Sequence, residues 1–339
     1  MKYLLPNFSH IYIEKDVRDL PLTRIALRRF WKSKIVWIDH YKDIFNRLGQ
    51  DFQLQKSSMK IILAKKREPF LYSASEMIQD YDNPNTFYNT PIVNCLYNCD
   101  YCYLQGMYDS GNMVIFVNEN DFFDAIEKKI LNLEDSSKPM ILSVSYNTDL
   151  LANENFLPLV RRWIHFACKK NGKLIIEVRT KSGLFSSIDD IEPNDNVILS
   201  WTLSPQIICD KYESSAPPLK SRVEAIKNAI DKGWCVRICF DPILLIDDWY
   251  EIYCEFFDSI FMEIDSKKIK DFTMGVFRMN KDYFKKIKRR EPRSEIFYAD
   301  YQVDNNYISI DKDKREDALS RLKIKLEEKI QNKKILIWK

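Results

Sequence analysis

Apolar and polar positions alternate along this chain with a regular change of period. From residue 88 onward, short β-rich runs are separated by stretches whose apolar residues recur at helical spacing. Runs at 90–94, 140–146, 174–180, 197–203, 235–240 and 272–277 predict strands. Helical patterns fall near 120–132, 155–171, 184–190, 218–232 and 247–260. Six strand–helix steps in a row predict an α/β fold of parallel strands with crossover helices, a partial (β/α)6 barrel carrying N-terminal and C-terminal extensions. Before it, residues 20–46 place apolar side chains at helical spacing among arginines and lysines, and 59–65 reads as a short strand. Beyond 300 come a strand-like run at 307–310, a charged amphipathic helix at 312–332 and an apolar run at 335–338. In that helix Leu319, Leu322, Ile324, Leu326 and Ile330 are expected to pack on the barrel. The expected division is an extension over 1–85, the barrel over 86–280 and a basic C-terminal extension over 281–339.

Every second residue of a strand shares one environment. Glu177, Arg179 and Lys181 therefore line one face, as do Ser200, Thr202 and Ser204, and again Cys235, Arg237, Cys239 and Asp241. A packed apolar lumen does not produce polar faces in succession, whereas a partly open barrel built around a charged cofactor does. The competing reading is an antiparallel sheet whose polar sides face solvent.

Composition narrows the class. The chain has 339 residues and 45% apolar content, enough for a substantial core in one large domain or two ordinary ones. A net charge of +3 does not announce a nucleic-acid binder, so any basic surface must come from local clustering. The eight cysteines form no regular disulfide framework, and no apolar run is long enough to span a bilayer. The protein is expected in the cytoplasm, where thiols stay reduced and no membrane is involved.

Three of the cysteines, Cys95, Cys99 and Cys102, fall within eight residues at CxxxCxxC spacing. Three thiolates can hold three irons of a 4Fe–4S cluster and leave the fourth open to a small molecule. In radical S-adenosyl-L-methionine (SAM) enzymes that iron takes the amino and carboxylate groups of SAM, and one-electron reduction yields a 5′-deoxyadenosyl radical. Structural zinc is the alternative, but zinc usually takes four ligands, commonly as two separated pairs. His10, His40 and His165 all lie more than fifty residues from these cysteines.

The run from Cys95 to Gln105, CLYNCDYCYLQ, resembles the cluster loop of spore photoproduct lyases and their relatives. The likeness continues in Ser145-Tyr-Asn-Thr-Asp149, in Val178-Arg-Thr-Lys181, and in Ser200-Trp-Thr-Leu-Ser-Pro205 followed by the segment from Pro218 to Ala225. It ends with Gly275-Val-Phe-Arg278 and Lys288-Arg-Arg290, so it covers about residues 85–300. The resemblance implies a radical SAM lyase that repairs a thymine dimer in DNA, fed by an electron donor such as flavodoxin or ferredoxin. It implies that Cys95, Cys99 and Cys102 hold the cluster and that Tyr101 and Tyr103 lie near SAM and the returning hydrogen. Tyr101 is equally read as aromatic packing. Ser145, Asp149, Lys181 and Thr202 match SAM-contacting positions, where a lysine suits a carboxylate and hydroxyls suit ribose.

One departure stands out. The family's hydrogen-donor cysteine follows the second strand, where this chain has Tyr146. Either Tyr146 takes that role, another thiol reaches the site, or the substrate is a peptide or small molecule. Cys209, in the loop after the fourth strand, is the best displaced thiol; Cys168 and Cys254 are read as packing. The segment Lys281–Arg290 with Arg293 concentrates seven positive charges in thirteen residues. The resemblance points there, at Lys288, Arg289 and Arg290, to DNA phosphate contact. The alternative is a solvated helix face with Phe284 and Ile287 buried. Arg278 either clamps a phosphate or caps a carboxylate such as Asp300.

Overall fold

The structure is a computed structural model that describes residues 7–74, 83–330 and 333–338. These form two compact units, one of residues up to Leu96 with Tyr108–Val178, the other of Tyr97–Met107 with the residues from Arg179 onward. Together they make a mixed α/β fold.

The first unit carries β1 (His10–Glu14), β2 (Lys34–Ile38), β3 (Ile61–Ala64), β4 (Tyr72–Ser73), β5 (Thr86–Tyr88), β6 (Ile92–Val93), β7 (Met113–Phe116) and β8 (Met140–Ser143). It also holds most of β9 (Leu174–Thr180). One sheet runs β2-β1-β3-β7-β6, parallel except for β6. Every residue of β3 and β7 is buried, so these strands are apolar throughout rather than alternating. The run 113–116 is not among the strands expected above, whereas the equally apolar 61–64 lies within the strand expected at 59–65. In the same unit β5 pairs antiparallel with β4 and parallel with β8, and β8 pairs parallel with β9.

The predicted strand at 90–94 contributes only β6, which joins the N-terminal sheet beside β7. The strand paired with β8 is β5, just before it. Pro91 explains the switch: it has no N–H to extend the β5 ladder, while its carbonyl accepts from Phe116 N at 2.9 Å. Residues 20–46 are not one helical stretch but a helix (Pro21–Arg29), β2 and a short turn of helix (Lys42–Phe45). Ile35, Val36 and Ile38 are β-branched, which favours the pleated strand over a continued helix.

In the second unit lie β10 (Val197–Thr202), β11 (Cys235–Ile243), β12 (Asp271–Val276), β13 (Arg278–Asn280), β14 (Tyr301–Asp304), β15 (Tyr307–Ile310) and β16 (Ile335–Ile337). The strands β10, β11, β12 and β16 pair in that order, all parallel. Helix Leu219–Lys232 returns the chain from β10 to β11 and ends at Gly233, whose φ of +95° is the left-handed cap glycine allows. Helix Trp249–Glu263 makes the next return. Ser200, Thr202 and Ser204 are buried, and so are Leu199, Trp201 and Leu203 on the opposite face. Parallel pairing with both faces covered overturns the solvent-facing antiparallel alternative for β10. Helix Lys312–Glu327 is shorter than expected; it buries Leu319, Leu322 and Leu326 but leaves Ile324 exposed. The 184–190 pattern forms only the single 3-10 turn Leu184–Ser187. No helix among the described residues is long and apolar enough to cross a membrane.

Candidate active site

The cysteine loop of the second unit is held from both ends of its own short span. Cys102 N donates to Cys99 O at 3.0 Å, and the Gln105 side-chain amide returns to Cys99 O at 2.7 Å. Helix Leu104–Met107 follows at once. The segment after β10 supports the loop from outside: Asn98 N donates to Ser215 Oγ at 3.0 Å and Asp100 N to Tyr212 O at 2.9 Å.

Beneath the loop lies a buried knot around Glu213. Its carboxylate accepts from the Tyr101 hydroxyl and the Arg222 guanidinium, and from Ser204 Oγ at 3.2 Å. Lys181, one residue past the end of β9, places its ammonium 3.9 Å from the same carboxylate and 5.2 Å from the Tyr101 ring centre. Arg222 also donates to Pro217 O at 2.9 Å and to Thr202 O at 3.3 Å. Burial alone would raise the Glu213 pKa, but Lys181 and Arg222 outweigh it and hold the carboxyl below its ordinary value. Burial likewise opposes the Lys181 ammonium, yet Glu213, Cys99 and Cys102 raise its pKa. The Tyr101 hydroxyl is pushed well above 10 by burial, then by Glu213 and Cys99. Tyr101 is thus neither mere packing nor free: its hydroxyl is a fixed donor.

Glu213 and Arg222 are the residues that sequence reasoning missed. The available signal was Arg222 standing in the stripe of Ala225, Ile226 and Ala229 on helix Leu219–Lys232, where a buried arginine demands a carboxylate. Cys209, expected in a loop, lies instead on helix Gln206–Tyr212, one turn before the Glu213 that caps it, its thiol donating to Ser204 O at 3.4 Å. Burial and Glu213 push its pKa up to about 12, which keeps it a neutral thiol.

Helix Lys281–Arg290 braces the loop from another side. Gly106 stands so close to Tyr283 that a Cβ there would collide with Tyr283 Cβ. Arg290 donates to Gln105 O, and Lys288 to Phe297 O at 3.0 Å, with Lys288 also 4.0 Å over the Tyr298 ring. Arg289 stays exposed, while Phe284 and Ile287 are buried as an amphipathic helix requires. Arg278 does cap a carboxylate, but the partner is Asp241 at 3.6 Å, not Asp300, which lies 3.6 Å from Lys314. Arg179 approaches the same Asp241 at 3.8 Å.

The first unit holds the remaining candidates. Cys95 is buried, and Lys56 donates to its carbonyl. Asn94 has a φ of +71° and ties its side chain to Ser110 O and Asn112 O at 2.7 and 2.6 Å, which joins the two ends of the segment that carries the cysteines. Asp149 is buried and accepts from Ala152 N at 3.1 Å; Ser145 is buried and its carbonyl accepts from Thr148 N at 3.3 Å. Tyr146 packs its ring 4.5 Å from that of Tyr88, which stacks 5.0 Å from Tyr72.

Among the described residues no three histidine, cysteine or carboxylate side chains stand converged as a ready metal cage. Cys95, Cys99 and Cys102 form no disulfide among the described residues, Cys95 and Cys99 are buried, and a cationic Lys181 favours negative charge on Cys99 and Cys102. Soft thiolates beside a fixed cation suit iron and sulfide.

The second unit is thus an α/β arrangement in which parallel strands with returning helices carry a loop, bearing Cys99 and Cys102, that is tied to a buried ionic knot. The family model "Spore photoproduct lyase" matches residues 9–333, and the chain belongs to that family. Among curated relatives, a spore photoproduct lyase of Geobacillus sp. is 21% identical over 64% of this chain and 64% of its own length. One of Clostridium acetobutylicum is 21% identical over 78% and 76%. Among solved structures, a spore photoproduct lyase complexed with dinucleoside spore photoproduct superposes with a TM-score of 0.83 at 15% identity, covering 98% of each chain. A mutant with bound AdoMet and the same dinucleoside gives 0.84 at 15% identity, covering 98% of this chain and 99% of its own.

Proposed function

We propose that this protein is a radical SAM lyase that uses a 4Fe–4S cluster and SAM to reverse the spore photoproduct, a thymine dimer, in DNA. The observation that carries this reading is the cysteine loop fastened through Tyr101 to Glu213 beside Lys181, in a chain that matches the family along nearly its whole length. The cluster, when bound, supplies the electron that splits SAM and so starts the radical reaction.

The chain's own residues do the rest. Cys95, Cys99 and Cys102 hold the cluster. Lys181, kept protonated by its anionic neighbours, takes the SAM carboxylate, and Ser145, Asp149 and Thr202 bond the rest of SAM. Tyr101 keeps the loop in place, Tyr103 lies beside it, and Tyr146 or the neutral Cys209 thiol returns a hydrogen atom to the thymine radical. Arg289 is open to a phosphate, while Lys288 and Arg290, bonded to backbone carbonyls, shape the segment that presents it. Arg278, ion-paired with Asp241 at 3.6 Å, is the further candidate for a phosphate contact. A (β/α)6 barrel over 86–280, flanked by the two extensions, and an electron donor such as flavodoxin or ferredoxin complete the reading.

Anaerobic reconstitution tests it. The expected result is about four irons per chain, a 4Fe–4S absorption and, on reduction, 5′-deoxyadenosine from SAM. Binding of zinc without iron–sulfur absorption would overturn it.

A further inference from the structure

The N-terminal sheet of the first unit ends in an edge strand, β2, that among the described residues pairs only with β1. Around it the chain departs from its otherwise balanced charge. From Leu20 to Ile38 there are five basic residues, Arg24, Arg28, Arg29, Lys32 and Lys34 among them all, and no acidic residue. Arg24 is engaged by Asp19 at 3.5 Å and Arg29 by Asn155 O at 3.0 Å. Arg28, Lys32 and Lys34 are exposed and meet no carboxylate among the described residues.

Large apolar side chains are interleaved with these charges. Trp31 is 74% exposed, and Ile35 and Trp37 are each 41% exposed. Cations already sit against both indoles: Lys32 lies 5.1 Å from the Trp31 ring and Arg18 lies 5.4 Å from that of Trp37. An exposed indole flanked by unpaired cations suits neither a core nor a solvated surface. It suits a ligand with both anionic and aromatic parts. Nucleic acid offers both: phosphates for Arg28, Lys32 and Lys34, and unpaired base faces for Trp31. A second copy of this chain would bring the same positive charge to the same patch, which like-charge repulsion disfavours.

We infer that the β2 edge with the turn before it, Arg28 to Trp37, is a DNA-holding surface that binds the strand outside the lesion, by phosphate pairing and by base stacking on Trp31. The inference rests on the proposed function and adds a second contact region to it. A surface of this kind provides affinity without sequence preference, which a repair enzyme needs because its lesion occurs in any context.

The test uses the reconstituted full chain and two surface variants, Lys32→Glu with Lys34→Glu, and Trp31→Ala. Affinity for a fluorescent single strand of about twenty nucleotides is read by anisotropy against salt. The charge variant is expected to bind about tenfold or more weakly, with the salt slope reduced by about two. Trp31→Ala is expected to lose about tenfold on the single strand and far less on duplex. Both variants are expected to process dinucleoside spore photoproduct at the unaltered rate, since that substrate is too short to need the patch. Unchanged affinity and slope, or a change in oligomeric state in their place, overturns the inference. If dinucleoside repair persists while the variants bind DNA normally, this surface fails and the proposed function stands. If the unaltered protein repairs no lesion, the proposed function fails, and the same affinities still decide the patch.

Discussion

Glu213 concentrates the energetics of the site in one side chain. It is fully buried, and so is its partner Arg222, so each charge depends on the other for compensation. Glu213→Gln keeps the shape but leaves Arg222 and Lys181 with no buried anion. The expected cost is about 3–5 kcal/mol, read as a lower denaturant midpoint. An unshifted midpoint would mean that water or another group already balances the arginine. In the sequence the cysteine triplet stands out by its spacing, and Lys181 by the strand face it shares with Glu177 and Arg179 and by its resemblance to a family motif. Glu213 does not, because its partners Tyr101, Lys181 and Arg222 come from three separate stretches of chain, and no motif joins them.

Among the elements, helix Leu104–Met107 and helix Lys281–Arg290 meet at the closest approach beside the site. Gly106 makes that approach possible through its missing side chain rather than through backbone freedom. Gly106→Ala drives a methyl into Tyr283, which must move the basic helix or the loop. A loss of about 1–3 kcal/mol is expected, together with poorer iron retention measured after desalting. Full iron retention with unchanged stability would show that the two helices do not need this contact. Helix Leu159–Cys168 supplies a second case. Glu154 is buried and caps its first turn, accepting from Val160 N at 2.7 Å and Arg161 N at 3.2 Å. Burial lifts its pKa from 4.5 to about 7 against those bonds. The folded chain therefore keeps a proton between about pH 4.5 and 7 that the unfolded chain has released, and stability falls as pH rises through that window. The drop attributable to this group is of order 3 kcal/mol, and Glu154→Gln should remove it from a stability-against-pH series. The same slope in the variant would place the effect elsewhere.

At the scale of the molecule, the sequence showed the second unit better than the first. Polar alternation in β10 and β11, and the amphipathic helices between strands, foretold parallel strands with both faces covered, and β10, β11 and β12 obey it. The first unit was harder: β3 falls inside the strand expected at 59–65, but β7, uniformly apolar as well, was not read as a strand, and their pairing joins residues far apart in the chain. Pro91, which diverts the chain from one ladder to another, reads in sequence only as a strand's end. Family membership and the braced cysteine loop converge on lesion reversal as the central claim. The most direct measurement incubates the reduced, reconstituted protein with SAM and dinucleoside spore photoproduct, and follows the products by mass. The account predicts return of the dimer to two intact thymines, dependent on SAM and abolished by Cys99→Ala. SAM cleavage that proceeds with the dimer left untouched would contradict it.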